Sequence, residues 1–101
     1  MDTKQLIKDS SARFNIISQK SQLKEKYNSK LIFADQGGLW KATPEFLSFL
    51  KGPTVNNLVI LDLYENPIKV DKDLLTTKAY QLYTEVMNEW YTEYSKLQNN
   101  R

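Results

Sequence analysis

Five carboxylates at the borders of predicted elements are the side chains best suited to chemistry: Asp35, Asp62, Glu65, Asp71 and Asp73. Two carboxylates that face one pocket could perform acid–base catalysis of the kind that glycosidases use. Each of the five also stands where hydrogen bonding in a turn, capping of a helix or contact with solvent accounts for it. Asp71 and Asp73 alone are too few for a calcium site, because calcium takes about six or more oxygen ligands.

The sequence contains no histidine and no cysteine. This excludes disulfides, Cys/His zinc sites, Cys–His nucleophiles and the Ser–His–Asp triad within the chain. A general base active near neutral pH would have to be a carboxylate or lysine with a strongly shifted pKa. The pair Gly37-Gly38 is followed neither by a helix nor by Gly-Lys-Ser/Thr, so it does not predict a phosphate-binding loop. We therefore expect a protein that is not an enzyme and that uses no metal and no cofactor.

Composition predicts one globular domain, since 101 residues leave no room for two independent cores. The net charge is only +2 but is unevenly spread: residues 1–30 carry seven basic and three acidic groups, and the remainder carries seven and nine. The first residues are too polar for a secretory signal. The longest purely apolar runs, 31–34 and 58–61, fall far short of the roughly 18 residues of a membrane-spanning helix. No membrane association is expected.

One long amphipathic helix is predicted from Asp71 to Leu97, because neither proline nor glycine interrupts this segment. Asp71 can accept hydrogen bonds from the first turn, and Asp73 places negative charge at the positive end of the helix dipole. Apolar residues recur at steps of three and four, the period of one helical face. They are Leu75, Ala79, Leu82, Val86, Trp90, Tyr94 and Leu97.

The apolar side of this helix is wider than a helix needs to cover one small sheet. At about 100° per residue it continues to Met87, Tyr80 and Tyr91. One interpretation places these tyrosines at the edge of the core with their hydroxyls in water. The other is a second contact surface, since tyrosine and tryptophan dominate interface hot spots. It predicts a protein partner or a second copy of the chain, bound by Tyr80, Tyr83, Met87, Trp90, Tyr91 and Tyr94.

Two β-hairpins and a short helix are predicted before the long helix. The hairpin strands are 31–35 with 39–42, around a Gln36-Gly37-Gly38 turn with positive φ angles, and 58–63 with 68–70. Residues 58–63 are apolar on both faces until Asp62, which is typical of a central strand covered on each side. The short helix follows Thr43 as cap, with Pro44 at its first position, and ends at Gly52-Pro53.

The expected fold class is therefore α+β. A small antiparallel sheet of two hairpins, with a short connecting helix, carries the long C-terminal helix, and Trp40 and Trp90 are expected at the seam between that helix and the sheet. Residues 31–101 form this domain, and residues 1–30 form a basic helical arm.

The arm has helical propensity without one apolar face, since Leu6, Ile7, Phe14 and Ile17 lie on one side of a helical wheel and Ile16, Leu23 and Tyr27 on another. A break near residues 15–18 would reconcile the two stripes, as would an arm that is ordered only against a partner. The arm also supports an alternative function, binding of nucleic acid as an accessory protein. The residues concerned are Lys20, Lys24, Lys26 and Lys30.

Three segments, 33–45, 62–70 and 87–91, together resemble short uncharacterised proteins of T4-like tailed bacteriophages. The likeness covers roughly residues 31–97. It implies a phage-encoded protein that acts in the host cytoplasm or in the virion, and it favours particle assembly or host-protein interaction over metabolism. From the residues and the resemblance together, we expect a small structural or adaptor protein that binds a protein partner, or itself, through its aromatic C-terminal helix.

Overall fold

The computed structural model describes the backbone of residues 3–99 and the side chains of residues 17–97. Within residues 3–99, three helices and four short strands follow one another, so the α+β class is confirmed, as is its long C-terminal helix. The elements are α1 (Thr3–Lys30), β1 (Ile32–Asp35), β2 (Gly38–Lys41), α2 (Pro44–Lys51), β3 (Asn57–Leu61), β4 (Pro67–Asp71) and α3 (Lys72–Asn99).

The first hairpin turns through Gln36 and Gly37, whose φ angles are +51° and +83°. Two successive positive φ angles are the signature of the tight turn that suits the twist of a hairpin. The predicted glycine turn is thus present, but Gly38 is not one of its positive-φ residues. Gly38 has another role, because a Cβ atom there would lie 2.5 Å from the indole of Trp40.

The two hairpins form two separate two-stranded antiparallel sheets, β1–β2 and β3–β4, rather than one merged sheet. They meet where the N–H of Leu63 donates to Leu39 O at 2.9 Å, and the Asp62 carboxylate accepts from Leu39 N–H at 3.2 Å. The prediction that residues 58–63 form a central strand is wrong. β3 is an edge strand, and Val59 and Leu61 are 66% and 63% exposed.

Both helix starts that follow a strand are capped as predicted. Thr43 accepts a hydrogen bond from Phe46 N–H at 3.1 Å, with Pro44 at the first position of α2. The Asp71 carboxylate accepts from Leu74 N–H at 3.1 Å at the start of α3. These short-range signals depend on neighbouring residues alone, which is why the sequence reveals them.

The core consists of two clusters along α3. Leu75 lies in the first, together with Trp40 of β2 and the inner face of the second hairpin, as predicted for Trp40. Ala79 and Val86 lie in the second, with the end of α1 and with Leu47 of α2. The long helix thus packs against helices as well as strands.

α1 runs as one helix through residues 15–18, so the break suggested by its two apolar stripes is absent. Its last turns belong to the core, because Tyr27 is only 2% exposed. The side chains of Leu6, Ile7, Phe14 and Ile16 lie outside the described residues, and the division of the chain at residue 30 stays a prediction.

Candidate protein-binding surfaces

Asp62, one of the carboxylates considered for catalysis, has a structural role. Asp62 accepts hydrogen bonds from the N–H groups of Asn66, Leu39 and Tyr64. These bonds, the one from Asn66 first, lower the pKa of Asp62 from its ordinary value. A carboxyl group that acts as a general acid near neutral pH needs the opposite shift. We therefore interpret Asp62 as a structural residue that links the two hairpins through its hydrogen bond from Leu39.

The other four acids are similarly occupied or face solvent. Asp35 pairs with Lys78 of α3 at 3.2 Å, and Asp71 caps that helix. Asp73 lies in the first turn of α3, and Glu65 is an exposed turn residue. Among the described residues, no group of three or more acidic side chains could hold a metal ion.

Trp90, one of the predicted contact residues, packs within the fold. Its indole stacks on the ring of Tyr27, with centroids 5.9 Å apart and planes within 11°. It is half-buried in the cluster formed by α1 and α3. The predicted position of Trp90 at the seam between helix and sheet is therefore wrong, because its partner comes from α1. No pattern in the sequence indicates that pairing, because it depends on how α1 and α3 lie in space.

The other five predicted residues continue from Trp90 around one side of α3. We call this side the aromatic ridge: Tyr80, Tyr83, Met87, Tyr91 and Tyr94. At about 100° per residue all five fall within about 80° of one another. Tyr83 and Met87 are half-buried, Tyr94 and Tyr80 are 37% and 39% exposed, and Tyr91 is 71% exposed. The most exposed ring, that of Tyr91, lies at the end of the ridge farthest around the helix from Trp90.

Lysines from the other helices lie against two rings of the ridge. The Nζ atom of Lys51 is 5.3 Å from the centroid of Tyr80, and that of Lys20 is 5.7 Å from the centroid of Tyr94. A cation–π contact at an exposed site stabilises the position of a ring by about 0.5–1 kcal/mol. Beside Tyr80 and Tyr83, an open groove of about 250 Å³ separates α3 from α2. The ridge therefore presents positioned rings beside a concave surface.

Two of the four lysines proposed for nucleic acid form ion pairs within the protein. Lys26 lies 2.6 Å from Glu93, and Lys30 lies 3.1 Å from Glu89. The hydrogen bond to Glu93 raises the pKa of Lys26, and the same contact lowers the pKa of Glu93. Because these carboxylates offset the positive charge, the surface attracts phosphate less than its lysine count implies. Lys24 is exposed, and Lys20 lies over Tyr94.

The structure has a second apolar surface that the sequence does not predict. Phe49 of α2 is 56% exposed, and with Phe46 it lines an open groove of about 370 Å³ beside β3. Val59, Ile60 and Leu61 complete the lining, and Val59 and Leu61 are themselves exposed. The apolar run in β3 was the available signal, but it predicted a covered strand. Whether a strand is covered depends on its neighbours in space, which the run does not specify.

Comparison with protein-family models, with curated proteins and with solved structures found no match. None of the described helices combines the length and the apolar character that crossing a membrane requires.

Proposed function

We propose that this chain is a non-enzymatic adaptor or structural protein that binds a protein partner through the aromatic ridge of α3. The observation that carries the proposal is the placement of three exposed tyrosine rings, Tyr80, Tyr91 and Tyr94, on one side of a continuous helix. They span about 21 Å at 1.5 Å per residue.

The chemistry of the ridge suits protein recognition. Tyrosine brings a large, rigid contact area at low entropic cost, together with a hydroxyl that can find a partner. Half-buried Met87 lies among the rings and adds an adaptable apolar contact. Lys20 and Lys51 border the ridge with positive charge, which favours a partner surface with acidic residues around an apolar centre.

The resemblance to phage proteins supplies the proposed setting, which is assembly of the particle or interaction with a host protein, in the host cytoplasm or in the virion. The alternative of nucleic-acid binding is weaker, because Glu93 and Glu89 pair with two of its four lysines.

Site-specific photocrosslinking in the producing cells tests the proposal. A photoreactive phenylalanine at position 91 should capture one defined protein, whereas the same group at position 92 should not. Thr92 is a matched control because it is also exposed but points about 100° around the helix. Equal capture from both positions, or none from position 91, would refute the ridge as the binding surface.

A pair of substitutions completes the test. Tyr91→Ala should weaken capture by a probe placed at Tyr80, since it removes a ring of the same ridge. Leu74→Ala removes a side chain that is 62% exposed on another side of α3 and should leave capture unchanged. If the two variants behave alike, the ridge is not the surface that selects the partner.

A further inference from the structure

β3 presents a backbone edge without a partner. Asn56 O accepts from Lys72 N–H at 2.7 Å, and Asp62 N–H donates to Asn66 O at 3.0 Å. Because paired residues alternate in an antiparallel ladder, the even-numbered residues of β3 exchange hydrogen bonds with β4. The odd-numbered residues turn their N–H and C=O groups the other way, and within residues 17–97 these groups have no hydrogen-bond partner. They are Asn57, Val59 and Leu61.

The opposite edge of the same sheet is protected at each corresponding residue. Pro67 has no N–H to offer, Lys69 places a charge on the edge, and the amide of Gln36 pairs with the backbone of Asp71. Proline, lysine and a covering group are the usual devices that keep an edge strand from pairing with another chain. The outward residues of β3 include no proline, carry no charge and have no hydrogen-bonded covering group, so its edge lacks this protection.

β3 carries apolar side chains on both of its faces. Ile60 points into the core and is 8% exposed, whereas Val59 and Leu61 point outward and are 66% and 63% exposed. A strand that is apolar on both faces normally lies inside a sheet. An isolated two-stranded hairpin is also only marginally stable. The sequence of β3 is therefore that of a central strand, although the single chain leaves it at an edge.

We propose that a second copy of this chain covers this edge, with β3 pairing antiparallel to β3 of the other copy around a two-fold axis. The four strands then lie in the order β4–β3–β3–β4. With the axis at Val59, that residue lies opposite the partner's Val59, and Asn57 lies opposite the partner's Leu61. Every outward N–H and C=O group of β3 then has an acceptor or donor. This surface is distinct from the aromatic ridge.

The absence of charge is the reason for choosing a second copy as the occupant. No charged side chain occurs in Asn57–Leu61 or in the lining of the adjoining groove. The groove therefore has nothing with which to select a charged peptide, and two copies meet there without repulsion. The nearest charge on the outer face is Lys69 of β4, opposite Val59. In the four-stranded sheet it lies about 14 Å from the partner's Lys69, beyond the screening length of about 8 Å at physiological salt.

In the proposed dimer, Phe49 adds an apolar contact to the hydrogen bonds between the two backbones. Its ring is 56% exposed at the groove beside Val59 and Leu61. Because the two-fold axis passes beside Val59, Phe49 of each copy comes close to the other copy. A side chain that is costly to expose in the single chain thus becomes an apolar contact in the dimer.

Val59→Pro tests this dimer. The N–H of Val59 points away from β4, so proline removes only the edge donor and blocks the approach of another strand. Lys69→Pro is the matched control, because Lys69 is the ladder partner of Val59 and its N–H points to the protected edge. Light scattering over a wide concentration range should show a dimer for the unaltered chain and for Lys69→Pro. The dissociation constant should rise about tenfold or more for Val59→Pro.

Either of two results would overturn the proposal: a monomeric unaltered chain at all concentrations, or a Val59→Pro dimer of unchanged affinity. The second result would place the dimer contact elsewhere. If Val59→Pro does not melt cooperatively, Val59→Lys replaces it, since the side chain faces solvent and a lysine there protects the edge by charge. Crosslinking from the aromatic ridge should continue in the monomeric variant, so the outcome is separable from the proposed function.

Discussion

Gln36 holds the outer edge of β4 by pairing its side-chain amide with the backbone of Asp71. Its Oε1 atom accepts from Asp71 N–H at 2.7 Å, and its Nε2 atom donates to Asp71 O at 3.2 Å. The amide thus occupies the place of a neighbouring strand. It also ties the turn of the first hairpin to the second, because Gln36 lies between β1 and β2.

This contact is expected to outweigh the strain in the turn. Gln36 has a φ of +51°, a conformation that costs a residue with a Cβ atom about 1–2 kcal/mol. Gln36→Ala should lower the free energy of unfolding by about 1–3 kcal/mol, because both hydrogen bonds disappear while the strain persists. Gln36→Gly loses the same bonds but relieves the strain, so its stability should fall between those of Gln36→Ala and the unaltered chain. Urea unfolding measures all three, and an alanine variant of unchanged stability would contradict the account.

Glu65 offers the converse case, a strained residue whose side chain has no structural role. It is exposed, with a φ of +63°. Glu65→Asn should raise the free energy of unfolding by about 0.5–1 kcal/mol, since asparagine tolerates this conformation better. Glu65→Ala removes the same charge without relieving the strain and should give no such gain. Thermal unfolding separates them, and equal melting temperatures for the two variants would show that charge, not backbone strain, governs this site.

The features that the sequence could predict depend on interactions between residues close together in the chain. The caps at Thr43 and Asp71 and the turn at Gly37 each involve groups a few positions apart, so residue type alone indicates them. Their presence confirms that local preference and final fold agree at these points. The class and order of the elements follow from the same kind of signal.

The features that the sequence could not predict depend on contacts between segments that are distant along the chain. Trp90 meets Tyr27 because α1 lies along α3, and no pattern in either helix specifies that pairing. The apolar run of β3 is visible in the sequence, but its exposure depends on the two hairpins meeting at Leu39 and Leu63 and at Gln36 and Asp71, contacts that add no strand beside β3. The aromatic ridge was identified from helical period, yet only the packing of α1 and α2 decides which of its rings stay exposed.

Trp90 and Tyr91 give a sharp test of the helix pair, because they are adjacent aromatic residues in opposite surroundings. Trp90→Ala should be clearly destabilising, by less than the roughly 3–5 kcal/mol of a fully buried tryptophan, since it removes the stack on Tyr27. Tyr91→Ala should change the free energy of unfolding by no more than about 0.5 kcal/mol, because its ring is 71% exposed. Urea unfolding followed by circular dichroism compares them. Similar losses from both would mean that α1 does not pack on α3 as described.

The pH dependence of stability should reveal how much the hydrogen bonds accepted by Asp62 contribute. Three backbone N–H groups, from Asn66, Leu39 and Tyr64, lower the pKa of its carboxyl group in the folded protein. A carboxyl with a depressed folded pKa contributes stability above its unfolded pKa of about 3.9, and this contribution is lost as the pH falls through the folded pKa. Asp62→Asn keeps an acceptor oxygen but cannot titrate, so its stability should vary less with acid.

Urea midpoints measured between about pH 6 and pH 2 provide the comparison. The unaltered chain should lose more stability over this window than Asp62→Asn does. Glu93, whose pKa is also lowered, remains in both proteins, so its contribution cancels in the difference. Because Leu39 lies in the first hairpin and Asp62 follows β3, protonation loosens the contact between the two sheets. Equal acid losses in the two proteins would show that the hairpins are joined by packing and not by this charge.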